Sequence, residues 1–510
     1  MAATSVKIVD SLSLLSLKVA PNVFDLSSGM HHVSIRDQIV RAQLVVRDLA
    51  RADRNLENLM IVGAGVAGLS AALYAAEQGI CNVVVLEAGN EPFSLFKGVT
   101  NRHVGPFMYE WPNSFYNDQS YPSHDRTPWT AFANSPFVWS SKHPCSADQL
   151  AKLLTQALKD RLAALPPNLR PLIFVNVPKA KIRNDIRAFA SAEGARHQAR
   201  LQGHALPLPH AVDLQDEQTW PSSTATATPL FPQYVLLAGG MGQEDLSLVK
   251  KDAGDTPYTG GNPVPRVDCP SFWANDRLLE AATCNDRVAV FGGGDGALQD
   301  VLRALTGRAH PLQLLHELQR VASVKRLLMS VSADLHALDR QGRQFATWTT
   351  RNHEFEGLDW ACRGIAERLA RNPRVIRRVG QLLRHGTGHV TLIVRESYFD
   401  KAYLLNRFMV HLFWACARQR PSSWAGRMQM DVRFRSRACS YQPQSTGHAI
   451  EILDMAKARV STVLADQLAV RYGIEPGTVP GAQLIQVSRA KSEYRTTMAR
   501  VELPLIVEQH

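Results

Sequence analysis

The sequence predicts an α/β protein made of two parallel-sheet units followed by a mainly helical C-terminal region. Three observations carry this reading. A strand, glycine-rich turn, helix and second strand begin near Leu59 (LMIVGAGVAGLSAALYAAEQG…NVVVLE). A second strand, glycine-rich turn and helix, RVAVFGGGDGALQDVLRAL, begin at Arg287. Beyond about residue 355 the apolar spacing becomes helical, in AYLLNRFMVHLFWACA and HAIEILDMAKARVSTVLADQLAVRY.

Taken in order, residues 1–30 read as a peripheral leader, and 34–50 as a helix with Ile35, Ile39, Val45, Val46 and Leu49 on one face. The first glycine-containing unit follows. Residues 93–145 are rich in aromatics, Pro, Asn and His and read as an ordered loop region. Residues 146–165 predict a helix with Ser146 as N-cap, stopped by Pro166-Pro167. LIFVNV (172–177) and QYVLLAGG (233–240) read as strands, 190–230 as a surface loop, and 251–271 as a turn-rich connector. VKRLLMSVS (324–332) reads as the strand after the second glycine turn. The Arg-rich stretch 363–384 reads as a solvated amphipathic helix pair, with a phosphate or nucleic-acid patch as the lesser reading. This divides the chain into 1–57 (leader and helix), 58–265 (first unit), 266–400 (second unit) and 401–510 (helical region).

The composition is that of an ordinary globular protein, with 45% hydrophobic and 20% charged residues. The net charge of +11 favours anionic ligands. The basic residues are dispersed, so a small-molecule substrate is expected and nucleic acid is not. The seven cysteines are scattered and no two form C-x-x-C, which argues against a disulfide framework, a zinc site or a redox dithiol and fits a reducing cytoplasm. His385 and His389 lack carboxylate or thiolate partners at ligand spacing, so no metal is expected. No apolar run is long enough to span a bilayer. The N-terminus lacks a secretory cleavage pattern, which leaves a transit peptide open. The oligomeric state is not readable.

The first glycine turn is G-x-G-x-x-G. Gly63 permits the tight turn, Gly65 admits a pyrophosphate to the backbone, and Gly68 lets helix and strand pack closely. Ala64, Val66 and Ala67 complete the loop, and the helix start offers N–H groups and partial positive charge to an anion. Glu87, followed by Ala88, ends the next strand, where a carboxylate would accept from an adenosine ribose and repel a 2′-phosphate. Spacing alone admits FAD or NAD.

The run MIVGAGVAGLSAALYAAEQG…VVVLE resembles the N-terminal FAD-binding unit of the two-dinucleotide-binding-domain flavoproteins, which include flavin monooxygenases and pyridine nucleotide-disulfide reductase-like enzymes. The resemblance implies a Rossmann-like FAD-binding domain and assigns Gly63, Gly65, Gly68 and Glu87 to FAD. The second turn, Gly292, Gly293, Gly294, Asp295, Gly296 and Ala297, is G-x-G-x-x-A and is similar to the NAD(P)H-binding domain inserted in that family. NADH and NADPH both stay open, with Lys325, Arg326, Arg340 or Arg343 as candidates near a 2′-phosphate. Two features depart from the family. LLAGG lacks the threonine of the family's closing strand, and no C-terminal Gly-Asp segment is found; Gly254-Asp255 lies in the connector.

Hydride transfer between stacked rings needs no acid or base, so no catalytic group is identified. His103, Tyr109, Trp111 and Tyr116 are candidates to line the ring or substrate, with ordinary packing as the alternative. The leading expectation is an FAD-dependent oxidoreductase that uses NAD(P)H to reduce flavin, with monooxygenation of a small organic substrate as one form. The alternatives are an amine-type FAD oxidase with a vestigial second unit and a non-catalytic nucleotide-binding sensor.

Overall fold

A computed structural model describes residues 14, 17–26, 35–105, 111–112, 137, 143–221, 229–240, 242–249, 267, 269–344, 353–400, 402–419, 424–474 and 478. Tyr109, Tyr116 and Gly254-Asp255 lie outside the described residues.

The chain opens with β1 (Lys18–Ala20) and β2 (Val23–Asp25), then α1 (Ile35–Ala52), β3 (Asn58–Val62), α2 (Val66–Glu77) and β4 (Asn82–Leu86). The antiparallel pair β5 (His103–Val104) and β6 (Cys145–Ser146) is followed by α3 (Ala147–Ala164), β7 (Leu172–Val175), α4 (Lys179–Gln202), β8 (Gln218–Trp220) and β9 (Tyr234–Leu237). These strands form one sheet in the order β1-β2-β9-β3-β4-β7-β8, with β2, β9, β3, β4 and β7 mutually parallel and the two edge strands antiparallel.

Both faces of this sheet are covered, which is why its strands are unbroken apolar runs. Leu59, Ile61, Val83 and Val85 pack with Val45 and Leu49 of α1, Leu69 and Leu73 of α2 and Leu150 of α3. Met60, Val62, Val84 and Leu86 pack with Ile182, Ile186 and Phe189 of α4. Ser146 caps α3 as expected. Its Oγ accepts from Gln149 N at 3.2 Å, and Gln149 Oε1 accepts from Ser146 N at 3.2 Å.

The second unit comprises β10 (Arg287–Phe291), α5 (Asp295–Thr306), α6 (Pro311–Gln319), α7 (Ala322–Ser330), α8 (Ser332–Gln344), α9 (His353–Leu369), α10 (Pro373–Leu382), β11 (His389–Ile393), α11 (Leu404–Arg418), β12 (Gln429–Arg433), β13 (Ser436–Gln444), β14 (Gly447–Asp454), β15 (Arg459–Ala465) and β16 (Gln467–Val470). Its four-stranded parallel sheet runs β12-β11-β10-β16, and β13-β14-β15 form an antiparallel meander. Helices α5 and α11 cover one face of the parallel sheet. The meander covers the other, with Ile450, Ile452 and Val463 against Ala289, Phe291 and Ile393.

Four expectations are corrected. Among the described residues beyond 401, 429–470 forms β12 to β16 and only Leu404–Arg418 is α-helix, which corrects the mainly helical expectation there. Ile450 and Ile452 are buried around an exposed Glu451, a two-residue period, and Asp454 Oδ1 accepts from Ala456 N and Lys457 N to make the turn that looked like helix. The segment 324–332 is helical, since Val324, Leu328, Val331 and Leu335 are buried at helical spacing. Residues 190–202 continue α4 up to Gly203, which ends it in a left-handed conformation at φ 69°. The leader is not wholly peripheral, because β2 adds to the first sheet and Val23 and Leu26 are fully buried.

The two units meet along α6. His310 caps that helix through Nδ1, which accepts from Leu312 N at 3.2 Å. Its ring lies so close to Gly105 that a Cβ there would sit 2.5 Å from Cε1. Burial, reinforced by His103 and His316, pushes the His310 imidazole down to about 3. His103 and His316 are lowered too, chiefly by burial. A base depressed in the folded state stabilises the fold above its ordinary value near 6.5 and withdraws that stability as pH falls through it. We therefore expect the melting temperature to fall between pH 7 and pH 5, by roughly 1.4 kcal/mol of stability per pH unit from His310 below its ordinary value. His310→Asn, which keeps a capping oxygen and removes the titration, should flatten that slope in a thermal melt. An unchanged slope would place the acid sensitivity elsewhere.

Candidate functional site

The first glycine turn is held between β3 and the exit of β9. Gly63 has φ +103°, and a Cβ there would lie 2.4 Å from Ala238 O. Gly63 N donates to Leu86 O at 2.7 Å, and Ala238 N donates to Val62 O at 2.7 Å. A Cβ on Gly68 would meet Gly63 O at 1.9 Å. Gly65, in contrast, faces open space, with nothing within 4 Å of an added Cβ. It is the N-cap of α2 and supplies no side-chain cap. Ala64, Val66 and Gly68 are buried, whereas Gly65 and Ala67 are half-buried at the surface of the turn. The α2 start therefore combines an unobstructed backbone with uncapped first-turn N–H groups.

Glu87 ends β4 one residue past Leu86, beside this turn. Its Oε2 accepts from Ala64 N at 2.6 Å and its Oε1 from Gly89 N at 2.6 Å. The half-buried carboxylate thus ties the glycine loop to the β4 exit, and each oxygen keeps a further lone pair. Ala88 packs against the α4 side of the sheet.

The second turn repeats the construction. Gly292 has φ +124°, and a Cβ there would lie 2.2 Å from Arg471 O at the exit of β16. Gly292 N donates to Ile393 O at 3.0 Å, and Arg471 N to Phe291 O at 2.8 Å. Gly294 is the N-cap of α5 and supplies no side-chain cap. Ala297 stands where the first turn has Gly68, its Cβ 3.6 Å from a Cβ placed on Gly292. A Cβ on Gly293 would be 3.0 Å from Val394 Cγ1 and 3.3 Å from Asp400 N. Gly296 lies under the Phe272 ring, 3.2 Å from an added Cβ.

Two departures bear on chemistry. Parallel pairing sets Val62 opposite Leu86 and Phe291 opposite Ile393, so the counterpart of Glu87 is Val394, followed by exposed Arg395. Lys325, Arg326, Arg340 and Arg343, the candidates near a 2′-phosphate, lie on the helices α7 and α8, before that strand. Asp295 Oδ1 accepts from Tyr403 N at 2.8 Å and Asn406 Nδ2 at 2.6 Å. Burial pushes its carboxyl up to about 7 against those donors and Arg407.

Sequence reasoning missed the polar cluster that joins the units. Arg102, next to β5, reaches Asp276 Oδ2 at 2.6 Å and Asp300 Oδ2 of α5 at 3.1 Å. Arg303 bridges the same two aspartates at 2.8 and 2.9 Å, and Arg471 Nε reaches Asp300 Oδ2 at 2.9 Å. Burial alone would raise the Asp300 carboxyl, but Arg102, Arg471 and Arg303 outweigh it and hold it far below the usual range. The Arg102 guanidinium also lies 4.5 Å from the Phe272 ring centroid. No local motif marks this cluster, since its members come from four separated stretches.

Of the ring-lining candidates, His103 joins the histidines at the α6 boundary. Trp111 is core, packed at a tilt on Phe408 with centroids 5.4 Å apart. His389 lies on β11 and His385 is bridged to Arg427. No group of His, Cys, Asp and Glu among the described residues is arranged to hold a metal. Among the described residues no helix is long and apolar enough to cross a membrane.

The profile of the family described as FAD dependent oxidoreductase matches residues 58–219. No curated protein matches the chain. Solved structures similar to it include the desferrioxamine-pathway cadaverine monooxygenase of Erwinia amylovora bound to FAD, at 10% identity over 88% of this chain and 95% of that one with TM-score 0.35. They also include T. acidophilum thioredoxin reductase, at 11% identity over 88% and 97% with TM-score 0.30. A third is the 6-hydroxypseudooxynicotine amine oxidase of Pseudomonas geniculata N1, at 12% identity over 88% and 42% with TM-score 0.29. Likeness at this level decides neither substrate nor reaction.

The contrast between neighbouring glycines yields a test. Gly65→Val should fold, because its Cβ direction is open and φ is −84°, but should purify with little FAD. Gly68→Ala should instead lose stability, by roughly 1–3 kcal/mol, from the overpacked strand–helix contact. Flavin content by absorbance and thermal melts read the two effects separately. Full flavin content in folded Gly65→Val would contradict the assignment of this turn to the cofactor.

Proposed function

We propose that this chain, whose residues 58–219 match the FAD dependent oxidoreductase profile, is an enzyme that holds FAD on its first unit and takes reducing equivalents from NADPH on its second. The observation that carries the reading is the open Cβ direction of Gly65 between two glycines whose own Cβ positions are blocked. A backbone cleared at one position, at the start of an uncapped helix, suits a pyrophosphate. Gly63, Ala64, Gly65, Val66, Ala67 and Gly68 would hold the FAD pyrophosphate, and Glu87, with Ala88 beside it, would accept from the adenosine ribose. FAD, when bound, supplies two-electron redox chemistry and, in its reduced form, a route to oxygen or an organic acceptor. The chain's part is to orient the cofactor and keep its adenosine end fixed.

Gly292, Gly293, Gly294, Asp295, Gly296 and Ala297 form the corresponding cradle for the nicotinamide dinucleotide. NADPH is favoured over NADH on charge. Val394 replaces the carboxylate that would repel a 2′-phosphate, and Arg395 follows it in the chain. Asp295 is turned to Tyr403 N and Asn406 Nδ2 at the start of α11. The substrate is read as a small organic molecule, with monooxygenation as one form of the reaction.

The Phe272 ring packed over Gly296 favours a second reading. There the second unit only supports the fold and an organic substrate, such as an amine, reduces the flavin directly.

Anaerobic mixing separates the two. NADPH should bleach the visible flavin band, faster than NADH, and Arg395→Glu should raise the NADPH KM roughly tenfold or more, as loss of a charge-assisted hydrogen bond predicts. Bleaching by an amine but by neither nicotinamide would overturn the leading reading in favour of the second.

A further inference from the structure

The helical insertion α6–α10 separates α5 from β11, where the first unit needs only one helix between its paired strands. Its α9 contributes a fully enclosed polar group. Asp359 is 1% exposed, and its Oδ1 accepts from Arg407 Nη1 at 2.5 Å and lies 2.8 Å from His411 Nε2; Arg407 and His411, both of α11, are 0% exposed. Arg407 directs its other Nη donors to the loop between β11 and α11: Nη1 donates to Phe399 O at 2.5 Å, and Nη2 to Asp400 O at 3.2 Å and Ala402 O at 3.3 Å. The Phe399 ring stacks on His411 with centroids 4.5 Å apart.

The same loop forms the wall of the second glycine turn. Asp400 N is 3.3 Å, and Phe399 Cα 3.7 Å, from a Cβ on Gly293. Tyr403 N and Asn406, at its far end, bind Asp295 at the first position of α5. Arg395 begins it. One face of the loop is thus gripped by a neutralised guanidinium, and the other meets the turn.

We propose that Asp359, Arg407 and His411 are positioning residues for the second dinucleotide site, with Arg407 shaping the loop that borders the glycine turn and Asp359 supplying the counter-charge that lets it be buried. This rests on the reading that the second unit binds NADPH. A planar guanidinium fork can hold three carbonyls at once, whereas a lysine ammonium in the same ion pair cannot span them. Removing the counter-ion would strand a buried cation.

The experiment titrates FAD-loaded protein with NADPH and reads the dissociation constant, alongside flavin content and deuterium exchange of residues 395–400. Arg407→Lys, which keeps the charge pair, should weaken NADPH binding roughly tenfold or more, the scale expected when a site is displaced by a fraction of an ångström. Its flavin content should stay normal and exchange at 395–400 should quicken. Cys362→Ala, a fully buried cavity-forming change one turn away on α9, provides a stability-matched comparison and should leave the dissociation constant unchanged. If Arg407→Lys does not fold, Phe399→Leu takes its place, with a smaller change in the same direction expected. Wild-type affinity in the loop variant, or equal weakening in Cys362→Ala, would overturn the positioning role. Failure of the unaltered protein to bind NADPH would overturn the cofactor reading itself.

Discussion

A helix can start directly at the carboxyl end of a buried parallel strand only if the first turn residue reverses the chain without a side chain. Here two such starts are built against a neighbouring strand's exit carbonyl. Gly63 abuts Ala238 O and Gly292 abuts Arg471 O. Each contact fixes where β9 or β16 must leave its sheet, and so fixes the central order β9-β3-β4 in one unit and β16-β10-β11 in the other. The positive end of each following helix then points at the same edge of its sheet, where open sheets of this kind bind ligands.

Much of this was legible in the sequence because it is local. Glycines at fixed offsets after the LMIV and VAVF strands need only a few consecutive residues to declare themselves, and Ser146 with Gln149 declares a helix start in four. The failures share a cause. Residues 447–465 lack glycine or proline between their strands beyond Gly447, and the Asp454 turn was hidden in an apolar, alanine-rich run that also fits a helix. The strand expected at 324–332 after the second glycine turn is helix, because an inserted helical layer postpones the strand to His389. No periodicity announces an insertion of that kind. Arg102, Asp276, Asp300, Arg303 and Arg471 were invisible for a stronger reason. Each reads alone as a surface charge, and only the tertiary fold makes them one buried group.

The two polar groups in the interior do different work. The Asp359–Arg407 pair organises a loop within the second unit. The Asp300 cluster spans units, with Arg102 from one and Asp300, Arg303 and Arg471 from the other. Buried ion pairs are weak evidence of net stability, because desolvation offsets their attraction. They are stronger evidence of specificity, since any other docking of the units would leave a charge without its partner.

That arrangement bears on how the chain can be divided. Arg102 lies in the first unit's sequence, yet the acidic groups that neutralise it are Asp276 and Asp300. A fragment ending before residue 266 would keep the cation and forfeit both carboxylates. It would also uncover the Gly105 surface that His310 occupies. Severing the chain there would therefore leave the first half with a stranded guanidinium and a bared seam.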